Sequence, residues 1–396
     1  MTPFASRQPS IVHLTTFLQG GAGRAITDLA CAQHARGWEV MVVSSPTGEG
    51  AYGNYPHYLE RLRSHGVPVL LEDSLFKRDA ALNQRVVDRL LSVTNPDTVD
   101  IVHAHAATPA RAGLQFAAHG TQIPAVIQTQ HGWGTNKTPQ QTQDDLAILQ
   151  QVARVVVTSP ATAGFLELHG INAQHIATIP CGLPAATPEL PQDDIRRRIE
   201  QLRRKQHRIV GCVGTVTDNK NQHAVIEALE YLALDKVTVV FVGEGSEALG
   251  DMARALGMQD RVMAIGYRPE ADRLMPLFDL LVVPSRTEGQ GLVVLEAFRA
   301  NVPVLASDIP AFRPLVLQNR TGWRFSLDNP QAFAEAIQRC LLTSPGERTR
   351  ITGAAWRTFQ HNFTADVMVE RHEALYLSLI RRSSLHLVHS NLRATS

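Results

Sequence analysis

Short apolar runs alternate with longer stretches of helical period along most of the chain. Runs at 11–16, 39–45, 67–71, 100–104, 125–129 and 154–158 predict strands, and 176–179 predicts a last strand of this half. A glycine-rich turn and a helix over 22–36 follow the first run. Strands this short, apolar on both faces and spaced by helices, are the pattern of βαβ units in a parallel sheet. The pattern then breaks, because residues 180–191 hold four prolines, which interrupt regular structure. Residues 193–208 are polar and mostly basic, a helix or a linker. A second series of strands is predicted at 209–213, 238–242, 262–265, 280–283 and 302–306. From 329 to about 381 the period is helical throughout, and the polar end, 383–396, is expected to fray.

The fold class that follows is α/β, with two Rossmann-like domains. Open parallel sheets bind ligands beyond the carboxyl ends of their strands. Two such edges facing across a cleft would serve an enzyme with a nucleotide-bearing substrate.

Composition narrows the partners. The 396 residues suit two or three domains, and 44% hydrophobic with 19% charged residues suits globular ones. Lys and Arg total 38 against 37 Asp and Glu, a net charge of +1. No global field attracts nucleic acid or an anionic membrane, so any anion binding must be local. Cys31, Cys181, Cys212 and Cys340 are scattered, with neither disulfide spacing nor a zinc pattern. The first ten residues lack the apolar core of a signal peptide, and no run approaches about 18 apolar residues. The expectation is a protein of the reducing cytoplasm.

Local chemistry concentrates in turns between strands and helices. Gly20-Gly21-Ala22-Gly23-Arg24 opens a helix whose amides could receive phosphate. A tight turn alone also accounts for these glycines, and neither dinucleotide nor Walker spacing is present. Lys220, in the Gly214–Lys220 loop, stands at a helix start, where a cation is unfavourable unless an anion joins it. A solvated loop lysine is the alternative. Val242-Gly243-Glu244-Gly245 and Gly266-Tyr267-Arg268 are further turns suited to a cleft or to ordinary loops. The stretch 283–297 is the most informative. Its strand ends at Pro284–Ser285, Glu288 lies in the loop, and a helix is predicted over 291–300. Gly289 and Gly291 permit close backbone approach, and the first-turn amides of Gly291, Leu292 and Val293 suit phosphate oxygens. Glu296, eight residues after Glu288, could accept two hydroxyls of a ribose, or form a buried ion pair.

The Glu288–Glu296 spacing with its glycines resembles the Glu-x7-Glu signature of retaining glycosyltransferases of family 4, which have the GT-B fold. The resemblance extends over nearly the whole chain. The Gly20–Arg24 turn resembles the family's Gly-Gly loop, and Thr129-Gln130-His131-Gly132 its Thr-x-His-Gly segment. The Gly214–Lys220 loop is similar to its phosphate clamp, and Val242–Gly245 to its Val-Gly-x-Gly turn. The resemblance implies an acceptor domain at 1–182, a linker at 183–207, a donor domain at 208–364, and a helix over 365–396 that packs back on the first domain before a polar tail. It implies hexosyl transfer from a UDP- or GDP-sugar to a hydroxyl acceptor, a glycan, a lipid-linked carrier or a small molecule, in cell-surface polysaccharide or glycolipid synthesis. Lys220 would bind the diphosphate, assisted by Gly21, Thr215, Gly289 and the Gly291–Val293 amides. Glu296 would hold the ribose, Glu288 the donor sugar, and His131 would stand beside the reacting carbon. No cofactor or metal is implied, and no Asp-x-Asp ends a strand in these motifs.

The chain departs from the family at three positions. Thr215 replaces a clamp arginine, for which Arg286 or Arg24 could compensate. Gly23 replaces a glutamate, and Gln290 an aromatic. Other residues are read conservatively. His103 and His105 alternate on one strand, and hydrogen-bonded structural histidines are favoured over catalytic ones. Trp133 and Lys137 suit an acceptor loop, or a flexible loop with an exposed aromatic. Arg196, Arg197, Arg198, Arg203, Arg204 and Lys205 raise peripheral contact with the inner membrane surface, with a solvated linker helix favoured. The competing functions are a nucleotide-sugar epimerase, a glycan phosphorylase, and a non-catalytic nucleotide-binding protein.

Overall fold

The computed structural model describes residues 7–46, 53–73, 78–134 and 137–394, with side chains as far as Ile380. Two compact units result: Met1–Gly182 with Ala365–Ser396, and Leu183–Thr364.

In the first unit, seven strands form one parallel sheet in the order β3-β2-β1-β4-β5-β6-β7. They are β1 Ser10–Leu14, β2 Glu39–Ser44, β3 Val69–Leu71, β4 Ile101–Ala104, β5 Ala125–Gln130, β6 Arg154–Val157 and β7 Ile176–Thr178. Side chains alternate across the sheet. Val12, Leu14, Val102, Ala104 and Val126 face one layer, with the helices Ala80–Val93 and Ala107–Ala117. Ile11, Ile101 and Ile127 face the other, where Ile26 and Ala30 of the helix Gly20–Ala35 meet Tyr376 and Leu379 of the terminal helix Ala365–Ala394. That terminal helix runs on through 383–394, where the sequence predicts fraying.

The second unit has six parallel strands in the order β10-β9-β8-β11-β12-β13. They are β8 Arg208–Val213, β9 Val237–Val242, β10 Val262–Ala264, β11 Leu280–Val283, β12 Val304–Ser307 and β13 Trp323–Phe325. The edge strand β13 was not legible in the pattern. It has three residues, one of them charged and only the last buried. Residues 183–207, expected as a linker, belong to this unit. Ile195, Ile199 and Leu202 place one apolar stripe on the otherwise charged helix Asp194–Arg204, and with Leu183 they enter the core. The Thr187 hydroxyl donates to the Arg299 carbonyl at 3.0 Å, and the Arg299 guanidinium donates to the Pro184 carbonyl at 3.2 Å.

Candidate active site

Both strand orders reverse direction once, between β1 and β4 and between β8 and β11. Such a reversal opens a crevice beyond the strand ends, because the loops on its two sides depart toward opposite faces. In the second unit those loops are Gly214–Gln222, after β8, and Pro284–Gly291, after β11. They are laced together. The Arg286 amide donates to the Asn219 carbonyl at 2.7 Å. The Asn219 side chain donates to the Thr287 carbonyl at 2.9 Å and accepts from the Thr287 amide at 3.1 Å and hydroxyl at 2.6 Å. Asn221 donates to the Pro284 carbonyl at 3.2 Å and accepts from Arg286 Nη2 at 2.9 Å. Inside this lattice Lys220 Nζ lies 2.6 Å from Glu288 Oε1, which also accepts from the Ser285 hydroxyl at 2.8 Å. The lysine side chain is 33% exposed and the glutamate 10%. The ammonium therefore keeps a solvent-facing side, while the carboxylate is held from below.

The helix Leu292–Arg299 begins where this loop ends. Val294, Leu295, Ala297 and Phe298 are buried, whereas Leu292, Val293 and Glu296 are half-buried on the opposite face. Glu296 stands one turn above Leu292, on the side of the first-turn amides. Gly291 precedes the helix at φ 84°, and a Cβ there would lie 2.4 Å from Phe312 Cε1. Only glycine satisfies both constraints. The turn after β9 is equally crowded, since a Cβ on Gly243 would lie 2.1 Å from the Gly214 carbonyl oxygen. Arg268 forms an ion pair with Asp193.

The first unit holds a polar layer that sequence spacing did not reveal. His13 of β1 is in register with His103 of β4. His103 is bonded at both ring nitrogens, Nδ1 to the Tyr376 hydroxyl and Nε2 to the Thr129 hydroxyl, each at 2.7 Å. His105 Nε2 lies 3.0 Å from His13 Nδ1, and His105 Nδ1 lies 3.2 Å from His131 Nε2. His372 donates to the Met368 carbonyl at 2.9 Å. Burial holds these rings neutral, and neighbouring imidazoles add to it at His13, His103, His105 and His131. His13, His131 and His372 are lowered to about 4, and His103 and His105 well below the usual imidazole value. The sequence offered HxH on one strand. The contributions of β1 and of a helix more than 260 residues downstream needed the fold.

Two family descriptions match the chain, "Glycosyltransferase Family 4" over residues 19–186 and "Glycosyl transferases group 1" over 193–356. The chain belongs to glycosyltransferase family 4. A D-inositol 3-phosphate glycosyltransferase of Jonesia denitrificans is 25% identical to this glycosyltransferase over 400 residues, 90% of this chain and 92% of that one. The UDP-Gal:alpha-D-GlcNAc-diphosphoundecaprenol alpha-1,3-galactosyltransferase of Escherichia coli is 24% identical over 309 residues, 72% and 77% of the two chains. Among solved structures, Anabaena HepE in complex with UDP and glucose superposes with a TM-score of 0.79 at 20% identity, covering 94% of this chain and all of that one. WaaG, a glycosyltransferase involved in lipopolysaccharide biosynthesis, gives 0.68 at 18% identity over 92% and 98%. The fold is GT-B.

The departures of this glycosyltransferase from its family now have surroundings. Gly23 packs on backbone, since a Cβ there would lie 2.5 Å from the Leu18 carbonyl carbon. Gly21 is exposed on the first turn of its helix. Thr215 is exposed, and its carbonyl accepts from Gln222 at 2.9 Å. Arg286 lies beside the Lys220 loop through Asn221, whereas Arg24 lies 3.8 Å from the buried Asp28, which Arg61 also holds at 2.7 Å. Gln290 is buried. Trp133, expected as an exposed aromatic or an acceptor contact, packs on Phe165 at 5.1 Å between ring centres. The Lys137 ammonium sits 3.7 Å over the Trp133 ring and pairs with Asp145 at 2.8 Å. In the basic helix, Arg196 pairs with Glu200, Arg197 with Asp194, and Arg203 with Asp279. The four cysteines are buried thiols. No helix among the described residues is long and apolar enough to cross a membrane.

Proposed function

We propose that this family 4 enzyme transfers a hexosyl group from a UDP- or GDP-sugar to a hydroxyl of a glycan or lipid-linked acceptor, with retention of anomeric configuration and without a metal ion. The observation that carries this reading is the Lys220–Glu288 pair at 2.6 Å on the switch point, beside the start of the helix that bears Glu296. A departing diphosphate develops negative charge. A partly exposed ammonium and first-turn helix amides stabilise that charge without a divalent cation. Arg286, tied to the same loop, is the second cation in place of the clamp arginine that Thr215 replaces. Glu296 takes the ribose hydroxyls and Glu288 those of the sugar, with Gly289 and Gly291 letting the ligand approach the backbone. On the family resemblance, Gly21 assists the phosphates and His131 contacts the sugar. The Escherichia coli relative, named for a UDP-sugar donor and a diphosphoundecaprenol acceptor, supports the lipid-linked class.

The test is a thermal-shift screen with UDP, GDP, ADP and their sugars, followed by product analysis with the stabilising donor. Ligand bound to the native state raises the melting temperature. Stabilisation by a nucleoside diphosphate and transfer of an α-configured sugar from an α-linked donor is the expected result. Release of an isomerised nucleotide sugar without acceptor would indicate an epimerase, and binding without turnover a non-catalytic protein.

A further inference from the structure

We propose that Gln33, His13 and His105 form a directed hydrogen-bond chain that holds His131 as its Nε2–H tautomer and leaves His131 Nδ1 as an acceptor for a substrate hydroxyl. The chain starts at the buried Gln33 of the helix Gly20–Ala35, whose side-chain oxygen lies 2.8 Å from His13 Nε2. An amide oxygen only accepts, so His13 Nε2 carries the hydrogen. A neutral imidazole has one N–H, so His13 Nδ1 is a lone pair and must accept from His105 Nε2, 3.0 Å away. His105 Nδ1 is then the lone pair, and the 3.2 Å contact to His131 Nε2 is donated by His131. The chain holds only while all three rings are neutral. The groups that act on His105 are its own burial and the imidazoles of His13, His131 and His372, all of which disfavour charge. His103 cannot divert the chain, since both of its nitrogens are taken by Tyr376 and Thr129. His13, His103 and His105 also bring ring nitrogens within 4.8 Å of one another, in the manner of a metal site. Both nitrogens of His13 and of His103 are already bonded, which favours the chain over a metal.

The consequence is chemical. His131 presents a lone pair, so the group it meets is a hydrogen-bond donor, a sugar or acceptor hydroxyl rather than a phosphate oxygen. Gln33, His13 and His105 are positioning residues, since they reach the substrate only through His131.

This inference rests on assigning His131 to the substrate, and the experiment separates the two. Protein with 15N-labelled histidine rings is observed at pH 7 by long-range 1H–15N correlation, and the His131 signals are those that vanish in His131→Ala. The expected spectrum shows Nε2 protonated and Nδ1 bare. A protonated Nδ1 in the wild-type protein overturns the chain. His105→Leu removes the acceptor, so His131 should become a mixture of tautomers. Turnover of the nucleotide sugar found in the screen should then fall about threefold to tenfold, with UDP affinity unchanged. His105→Gln keeps an acceptor for His131 and should restore the single tautomer and most of the rate. A single unchanged tautomer in His105→Leu would also sink the chain. If His131→Ala leaves turnover intact, the substrate assignment fails, whatever the tautomer. If it abolishes turnover while the wild-type ring is Nδ1–H, only the chain fails.

Discussion

Lys220 and Glu288, 68 residues apart, meet in an ion pair, and that contact conditions what each can do. The ammonium that would bind phosphate is partly neutralised by the carboxylate that would hold the sugar. Lys220→Ala should weaken the bare nucleoside diphosphate by about 1.5–3 kcal/mol, roughly tenfold to over a hundredfold, because a charge-assisted phosphate contact is lost. Glu288→Gln should leave that affinity unchanged or raise it, since the lysine loses its competing partner, while turnover drops about 10²-fold. Isothermal titration beside steady-state kinetics reads both. Wild-type affinity in Lys220→Ala would mean that the pair is only a loop clasp. Glu296 is a separate case, half-buried on a helix face. Glu296→Gln should cost about 1–3 kcal/mol of affinity for any ligand with a ribose. Unchanged UDP binding in this variant would remove Glu296 from the site.

Elements carry two further expectations. The helix Leu292–Arg299 is anchored at its far end by Arg299, whose Nη2 lies 2.7 Å from Asp272 Oδ2 with both side chains nearly sealed. Arg299→Met leaves a buried carboxylate without this partner, and should cost about 3–5 kcal/mol. Adding Asp272→Leu should recover much of it, as urea unfolding of the single and double variants would show. In the first unit, the terminal helix covers a sheet face lined with neutral histidines. His13 and His372 fall from the ordinary 6.5 to about 4, so between those values the unfolded chain binds more protons than the folded one. Stability is then fully present above about pH 6.5 and lost as pH falls toward 4, each ring contributing up to about 3 kcal/mol. The urea midpoint should therefore drop between pH 7.5 and pH 5, and His372→Phe should flatten part of that slope. An unchanged midpoint would contradict the burial of these rings as neutral species.

At the scale of the molecule, the two units divide the chain unequally from its order in sequence. Ala365–Ser396 returns to the unit built from Met1–Gly182, and Leu183–Thr364 stands complete by itself. The cation-and-amide character of the Lys220 region bears on the whole enzyme's requirements. Turnover should survive exhaustive chelation if, as proposed, ammonium and helix amides take the role that a divalent cation takes in other transferases. A loss of activity restored by Mg2+ or Mn2+ would refute this.

The strand–helix alternation, the break at the prolines, the turns bearing Lys220 and Glu288 and the helix bearing Glu296 were legible in the sequence, because each is local. Apolar runs, proline and glycine act within a few residues of where they stand. The edge strand β13 was not, because three residues beside a glycine carry no period and its partner β12 supplies the ladder. Nor was the membership of 183–207, since three apolar positions on a charged helix acquire meaning only when a core receives them. The Lys220–Glu288 contact and the histidine layer belong wholly to tertiary structure. Parallel strands with helical crossovers bring residues from distant segments to adjacent strand ends. The closeness of His13, His105 and His131 is therefore set by the order β1-β4-β5 across the sheet, which no spacing along the chain encodes.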